Sequence, residues 1–310
     1  MIAAITLNSS IDRRYVVENA QWGVVHRVKS CTSTAGGKGL NVARVIHALG
    51  EQVIAGGFAG GFSGAYLCEM LAREGVQEAF VKVQGETRSC INVYDLSTGK
   101  QTEFLEPGTN ILPEEYDAFL TAYRKLAREC QVISLSGSLP RGLDAATYGE
   151  LIRIAKENGA KVLLDTSGAA LTSALPYGPS LIKPNEDEIG QLTGGDLSSL
   201  SELAQAAQAL SRRGVERVVI SLGGRGAILA CEQGVYHGKP PQIQPLNTVG
   251  CGDAMTASYA VSFARCDDVE EALRQAVAVS AASALAPDTG GLDKMEYLKI
   301  LPMVQVVRLL

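Results

Sequence analysis

Asn247-Thr248-Val249-Gly250-Cys251-Gly252-Asp253-Ala254-Met255 is the stretch on which the reading of this chain turns. Two glycines flank one small residue, an aspartate follows, and an alanine-rich run from Ala254 to Ala264 continues without proline or glycine. That run predicts a buried helix. Gly250 and Gly252 let the backbone turn tightly and bring its N–H groups close to a ligand. At a helix N-terminus such N–H groups form an anion site. Asp253 would repel a stably held anion, and beside such a site it is better placed to take a proton from an attacking hydroxyl. A plain glycine turn with an acid favoured by the helix dipole accounts for the same nine residues.

The chain as a whole bounds the choice. Its 310 residues, 46% hydrophobic and 20% charged, suffice for one large core with a small appended lobe. The net charge of −5 argues against a non-specific nucleic-acid binder, which is usually basic. The start, MIAAITLNSSIDRRYVV, has no basic region ahead of its short apolar stretch and predicts a first β-strand, not a signal peptide. No run approaches the ~18 apolar residues of a membrane span. Seven scattered cysteines without a C-x-x-C pair predict reduced thiols in a cytoplasm and no zinc site. The histidines, His26, His47 and His237, are equally dispersed.

Along the chain, 2–7 predicts a strand that ends in polar Asn8 to Asp12, where α/β sheets place ligands. The segment 13–34 carries β-formers with interleaved charge, as strands exposed on one face do. Helical spacing follows over 41–49 and 64–74, with 53–60 as strand and loop between them. Short strands at 80–83, 88–95 and 101–105, joined by turn residues, read as a meander. Together these predict a small discontinuous β-lobe over about 12–34 and 79–107. Regular alternation then sets in, with helices over 113–129, 144–158, 186–192, 198–213 and 269–286. Strands fall at 132–135, 161–165, 181–182 and 217–221, and an edge hairpin at 227–231 and 234–237. Such alternation means a mainly parallel sheet with helices on both faces. The dinucleotide fingerprint, the P-loop and the protein-kinase motifs are absent, since Gly37-Lys38 is followed by Gly39 and Thr32 stands where a P-loop glycine belongs.

Eight stretches in order carry a resemblance: TLNSSID (6–12), GGKGLNVAR (36–44), GETR (85–88), LSGSLPRG (135–142), LLDTSG (163–168), IKPNEDE (182–188), SLGGRGA (221–227) and NTVGCGDAM (247–255). They resemble the PfkB (ribokinase-like) carbohydrate kinases, in particular the hexose-phosphate branch of 1-phosphofructokinases and tagatose-6-phosphate kinases. The resemblance implies one α/β domain: a ribokinase-like three-layer αβα core, mainly parallel, under a small β-sheet lid. It implies ATP and Mg²⁺, and a homodimer formed through the lid. It makes Asp253 the general base and Gly250, Cys251 and Gly252 the anion hole. Asp12, Gly37, Lys38 and Asn41 match positions that grip the sugar. Asn185 and Glu188 match the N-x-x-E motif that organises Mg²⁺ through water; their i, i+3 spacing shares one helical face and their oxygens suit that ion. Lys183, Asn185, Ser221, Gly223, Gly226 and Thr248 fall where the nucleotide binds. Read singly, these remain a loose turn, a solvated lysine, an acidic helix and a hairpin.

A phosphorylated sugar needs guanidinium forks. Arg27 and Arg88, one in each lobe segment, match family positions that hold the substrate phosphate; Ser138 assists and Arg141 is close by. These residues favour a ketohexose monophosphate, with fructose 1-phosphate converted to the 1,6-bisphosphate as the leading reading. Tagatose 6-phosphate or fructose 6-phosphate is the alternative. A kinase of unphosphorylated sugars or nucleosides, and a non-catalytic sugar-phosphate sensor, are the rivals. Two departures stand out. Asn8-Ser9-Ser10 replaces the usual Asn-Pro-Ala, which predicts a less stiff backbone before Asp12. Cys251 replaces Ala or Ser, and a thiol at a helix N-terminus is expected to have a lowered pKa and to react.

Overall fold

The computed structural model describes residues 1–195, 197, 199–266 and 268–310. Fourteen strands form among these residues: β1 Ile2–Thr6, β2 Ser10–Val17, β3 Ser30–Gly36, β4 Val53–Gly60, β5 Gln77–Val83, β6 Arg88–Asp95, β7 Gln101–Leu105, β8 Val132–Ser136, β9 Lys161–Asp165, β10 Leu181–Ile182, β11 Arg217–Ser221, β12 Ala227–Cys231, β13 Gly234–Lys239 and β14 Gln305–Arg308. Ten of them make one sheet in the order β14-β13-β12-β11-β10-β9-β8-β1-β4-β5. The span from β5 to β11 is parallel, and β12 to β14 add antiparallel neighbours.

β1 shows why the sheet is buried on both faces. Its side chains alternate with period two, so Ile2 and Ala4 enter one core while Ala3 and Ile5 enter the other. Helices α1 (Lys38–Ala48), α2 (Gly61–Arg73), α8 (Cys251–Arg265), α9 (Val269–Ala284) and α10 (Lys294–Ile300) cover the first face. Helices α3 (Pro113–Glu129), α4 (Thr147–Glu157), α5 (Gly168–Ala174), α6 (Glu186–Thr193) and α7 (Leu200–Ser211) cover the second. The result is the three-layer ribokinase-like αβα core. α8 is buried almost all round, as its run of small residues requires. None of the described helices is long and apolar enough to cross a membrane.

The remaining four strands form a separate sheet, β3-β2-β6-β7, in which β2 and β6 run parallel. It is built from two distant segments, as expected, with one correction. The strand predicted at 80–83 belongs to β5, which pairs parallel with β4 at the edge of the large sheet, Phe80 opposite Gly57. An edge strand exposes charge on one side, here Glu78 and Lys82, much as a lid strand does, and the pattern alone did not separate the two. The hairpin β12–β13 is not the sheet's margin either, because β14 pairs outside it. The helix expected over 198–213 is α7; residue 198 lies outside the described residues.

Candidate active site

A cleft of about 570 Å³ lies between the C-terminal ends of the parallel strands and the inner face of the small sheet. Parallel α/β sheets place ligands at that end. β1 delivers Thr6 and Asn8, β8 delivers Gly137 and Ser138, β10 leads into Lys183, and β11 ends on Ser221; all line the cleft. The lid contributes Asp12 from β2 and Arg88 from β6.

The floor of the cleft is a charge network. Asp165, at the end of β9, is buried between two ammonium groups, Lys38 Nζ at 3.0 Å and Lys183 Nζ at 3.3 Å. Burial pushes its carboxyl up, but the two lysines outweigh that and hold its pKa below the usual value. Burial in turn acts to lower Lys38, and the charges of Asp165 and Asp253 reverse this, so Lys38 titrates above an ordinary lysine.

Asp253 lies in the first turn of α8 and is buried. Its Oδ2 accepts a 2.8 Å hydrogen bond from Asn41 Nδ2. Burial and the neighbouring charge of Asp165 raise its pKa to about 6, against the opposing pull of Lys38, Asn41 and Lys183. A carboxylate poised there can both hold and release a proton near neutral pH. Gly250 caps the helix at φ 87°, a left-handed conformation open to glycine at little cost. The first-turn N–H groups behind it have no intrahelical acceptor. Lys183 reinforces them: a Cβ added at Gly252 would lie 3.1 Å from its Nζ.

Asp12 is held against the backbone of Gly36, and Ser10 Oγ donates to its Oδ1 at 2.6 Å. Ser9 Oγ donates to the carbonyl of Phe58, also at 2.6 Å. The Ser-Ser pair therefore ties down the segment that its composition suggested would be loose. Burial raises the pKa of Asp12, with Ser10, Arg44 and Arg88 opposing. Arg88 donates to the carbonyls of Glu106 and Asn8, and its Nε–H is buried without a partner. Asn8 Nδ2 reaches Ser138 Oγ at 3.1 Å.

Asn185 and Glu188 both line the cleft and cap α6 reciprocally: each side-chain oxygen accepts the other's backbone N–H, at 2.8 and 2.9 Å. Each keeps acceptor capacity for a hydrated Mg²⁺, which prefers to retain several waters. No cluster of three or more metal-ligating side chains occurs among the described residues, so the donors fit an ion brought in with its waters and phosphates.

Six expected positions do not line the cleft. Arg27 is exposed in the connection between β2 and β3 and does not line the cleft. Gly223 and Gly226 sit in the turn beyond Ser221, also outside it. Gly226 has a local reason to be glycine, since at φ +88° an added Cβ would meet the Gly238 carbonyl at 1.9 Å. Thr248 and Arg141 do not line the cleft. Cys251 faces away, its thiol 3.8 Å from the Asn247 carbonyl, and burial with the Asp253 charge pushes its pKa up to about 11. The expected reactive thiolate is thus corrected: burial outweighs the helix terminus. Two charged residues carry site geometry without having been singled out. Asp165 stands in LLDTSG and Arg44 ends GGKGLNVAR; a carboxylate at the end of an apolar strand was the signal for the first.

The model of the pfkB carbohydrate kinase family matches residues 4–294. The chain belongs to that family. A tagatose-6-phosphate kinase of Staphylococcus epidermidis is 37% identical over 310 residues, covering 99% of both chains. Among solved structures, a variant of phosphofructokinase-2 from Escherichia coli superposes with a TM-score of 0.92 at 30% identity, over 97% of this chain and 98% of that one. A Thermotoga maritima protein described as a possible 1-phosphofructokinase gives 0.88 at 26% identity over 100% of both. This sugar kinase therefore has hexose-phosphate kinases among its relatives, and ATP is the phosphate donor its family uses.

Proposed function

We propose that the kinase transfers the γ-phosphoryl group of ATP to a ketohexose monophosphate, giving the bisphosphate, with Asp253 as general base. The observation that carries this is the pairing of a buried carboxylate, raised to about 6, with a helix N-terminus and Lys183 in one cleft. Gly250 to Gly252 would face the transferring group, and Lys38 and Lys183 would neutralise its oxygens, since phosphoryl transfer is largely positioning and charge stabilisation. The P–O bond to ADP breaks as the sugar oxygen forms its own, and the hydroxyl proton passes to Asp253. Asp12 and Asn41 would orient the sugar. Asn185 and Glu188 would hold waters of Mg²⁺, which supplies further neutralisation of the phosphates when bound.

The buried, unpartnered Nε–H of Arg88 supports a phosphate at the lid end of the acceptor. Fructose 1-phosphate and tagatose 6-phosphate both place a phosphate at one end and a primary hydroxyl at the other. The full-length likeness to tagatose-6-phosphate kinases favours the second sugar over the first. The lid exposes Trp22 (84%), Val25 (92%) and Phe104 (44%) away from the cleft, and a second copy of the chain would cover them. Such a metabolic kinase would work in the cytoplasm.

A substrate panel tests the reading. ATP consumption should appear with tagatose 6-phosphate or fructose 1-phosphate and not with fructose or a nucleoside. Turnover confined to the uncharged acceptors, or none with any sugar, would overturn it.

A further inference from the structure

Asn41 holds two partners of opposite kind. Its Nδ2 donates to Asp253 at 2.8 Å, and its Oδ1 accepts from Arg44 Nη1 at 2.9 Å. A guanidinium has only donors and an ionised carboxylate only acceptors. The amide therefore has one orientation that satisfies both neighbours; flipped, it would aim NH₂ at a cation and oxygen at a carboxylate. Arg44 is itself fixed at three points: Nε donates to Glu74 at 2.9 Å, Nη2 donates to the carbonyl of Ala35, and Nη1 holds Asn41. Gly290 closes over the contact, where an added Cβ would lie 3.1 Å from both Asn41 Oδ1 and Arg44 Nη1.

We propose that Arg44 is a positioning residue for the base: it locks the Asn41 amide so that its NH₂ always faces Asp253. The inference rests on the proposed role of Asp253. The arrangement ties the strand-to-helix turn that carries the sugar-gripping residues to the proton acceptor on α8. Without Arg44, the amide oxygen loses its donor and the side chain can rotate. Asp253 then spends part of its time without a donor, its charged form is less stabilised, and its proton affinity rises. The other groups facing Asp253 are unchanged by this: Asp165 from β9, Lys38 from α1, Lys183 after β10, and Cys251 on its own helix. From α9, Ser280 donates to the Cys251 carbonyl, and in the connection after that helix Asp288 and Thr289 line the cleft.

The test follows Asp253 directly by carboxyl ¹³C NMR of the full chain labelled at aspartate. Its resonance is assigned as the one missing from Asp253→Asn. In Arg44→Lys, which keeps the charge but carries its donors on one nitrogen and so lacks the fork that reaches Glu74, Ala35 and Asn41 together, the midpoint should rise by about one pH unit, the worth of one hydrogen bond to a charged group. Arg44→Met should show at least as large a rise. Asn41→Ala should show it too, and adding Arg44→Lys to Asn41→Ala should move the midpoint no further. An unmoved midpoint in Arg44→Lys, or equal shifts with and without Asn41, would overturn the proposal; the second pattern is that of a bare charge effect. The lysine variant keeps the test available if the methionine variant does not fold. Turnover of Asp253→Asn in the same buffers separates the two ideas. Near-normal turnover there refutes the base assignment, whereas the ¹³C midpoints decide the role of Arg44 whatever that turnover is.

Discussion

Replacing Asp253 by asparagine should cost activity and add stability. In the folded protein this carboxyl titrates at about 6, against a reference value of 3.8. A raised carboxyl pKa means that folding disfavours the charged form. The difference of about two units corresponds to at most about 3 kcal/mol of stability forgone at pH 8, where the group is ionised in both states. Below about pH 3 both states are protonated and the cost vanishes; at pH 5 about half of it remains. Asparagine has the same shape and no charge, so it removes the cost while its oxygen can still accept from Asn41. Urea unfolding of wild type and Asp253→Asn at pH 8 and pH 5 measures this. The variant should be the more stable at pH 8, with the gap narrowing by about half at pH 5. Turnover should fall by about two or more orders of magnitude with loss of the general base. A variant less stable than wild type at pH 8, or a gap that widens towards pH 5, would show that the carboxylate is a net structural asset and that the reasoning is wrong.

Three further outcomes are expected. Arg88→Ala should raise KM for the sugar phosphate by roughly 10- to 100-fold, the worth of a charge-assisted phosphate contact; an unchanged KM would remove Arg88 from the phosphate site. Iodoacetamide at pH 7.5 should label exposed Cys31 and Cys266 well before Cys251, whose pKa of about 11 leaves only about one thiol in several thousand ionised; mass mapping that finds Cys251 modified first would contradict the geometry. Gly226→Ala should lower stability by more than about 2 kcal/mol in thermal or urea unfolding, because the added methyl meets the Gly238 carbonyl. A neutral result there would mean that the turn relaxes freely.

Much of the layout was legible because it rests on local rules. Polar residues after apolar runs marked the strand ends that meet in the cleft, and the small-residue run after Asp253 marked a helix buried on every side. Lys38 with Asn41, Lys183 and Asp253 come from three distant stretches of sequence, and motif order alone suggested their meeting. What was not legible depended on long-range placement. Strand β5 carries the charge pattern of a lid strand, and its partner β4 decides the matter. Arg27 and Arg88 look alike in sequence, yet one stands in an exposed connection and the other lines the cleft. Cys251 sits at a helix start, but burial beside a carboxylate decides its chemistry. Arg44 lay in plain view at the end of its motif, and its use depends on which atom of Asn41 faces which neighbour.

The floor and roof of the cleft differ in sign. Lys38 and Lys183 are matched by the two buried aspartates, and Glu188 and Asp288 tip the floor negative. In the roof, Arg13, Arg14 and Arg88 outnumber Asp12 and Glu103. Capture of an anionic substrate from solution is then the work of the roof, and it is the part of the cycle that added salt should slow, since attraction at a distance is screened over about 10 Å in ordinary buffers. The bond-making step, enclosed against the floor, has little reason to follow ionic strength. With those roles, encounter and chemistry in this kinase would be governed by separate sets of charges, which selection could tune independently.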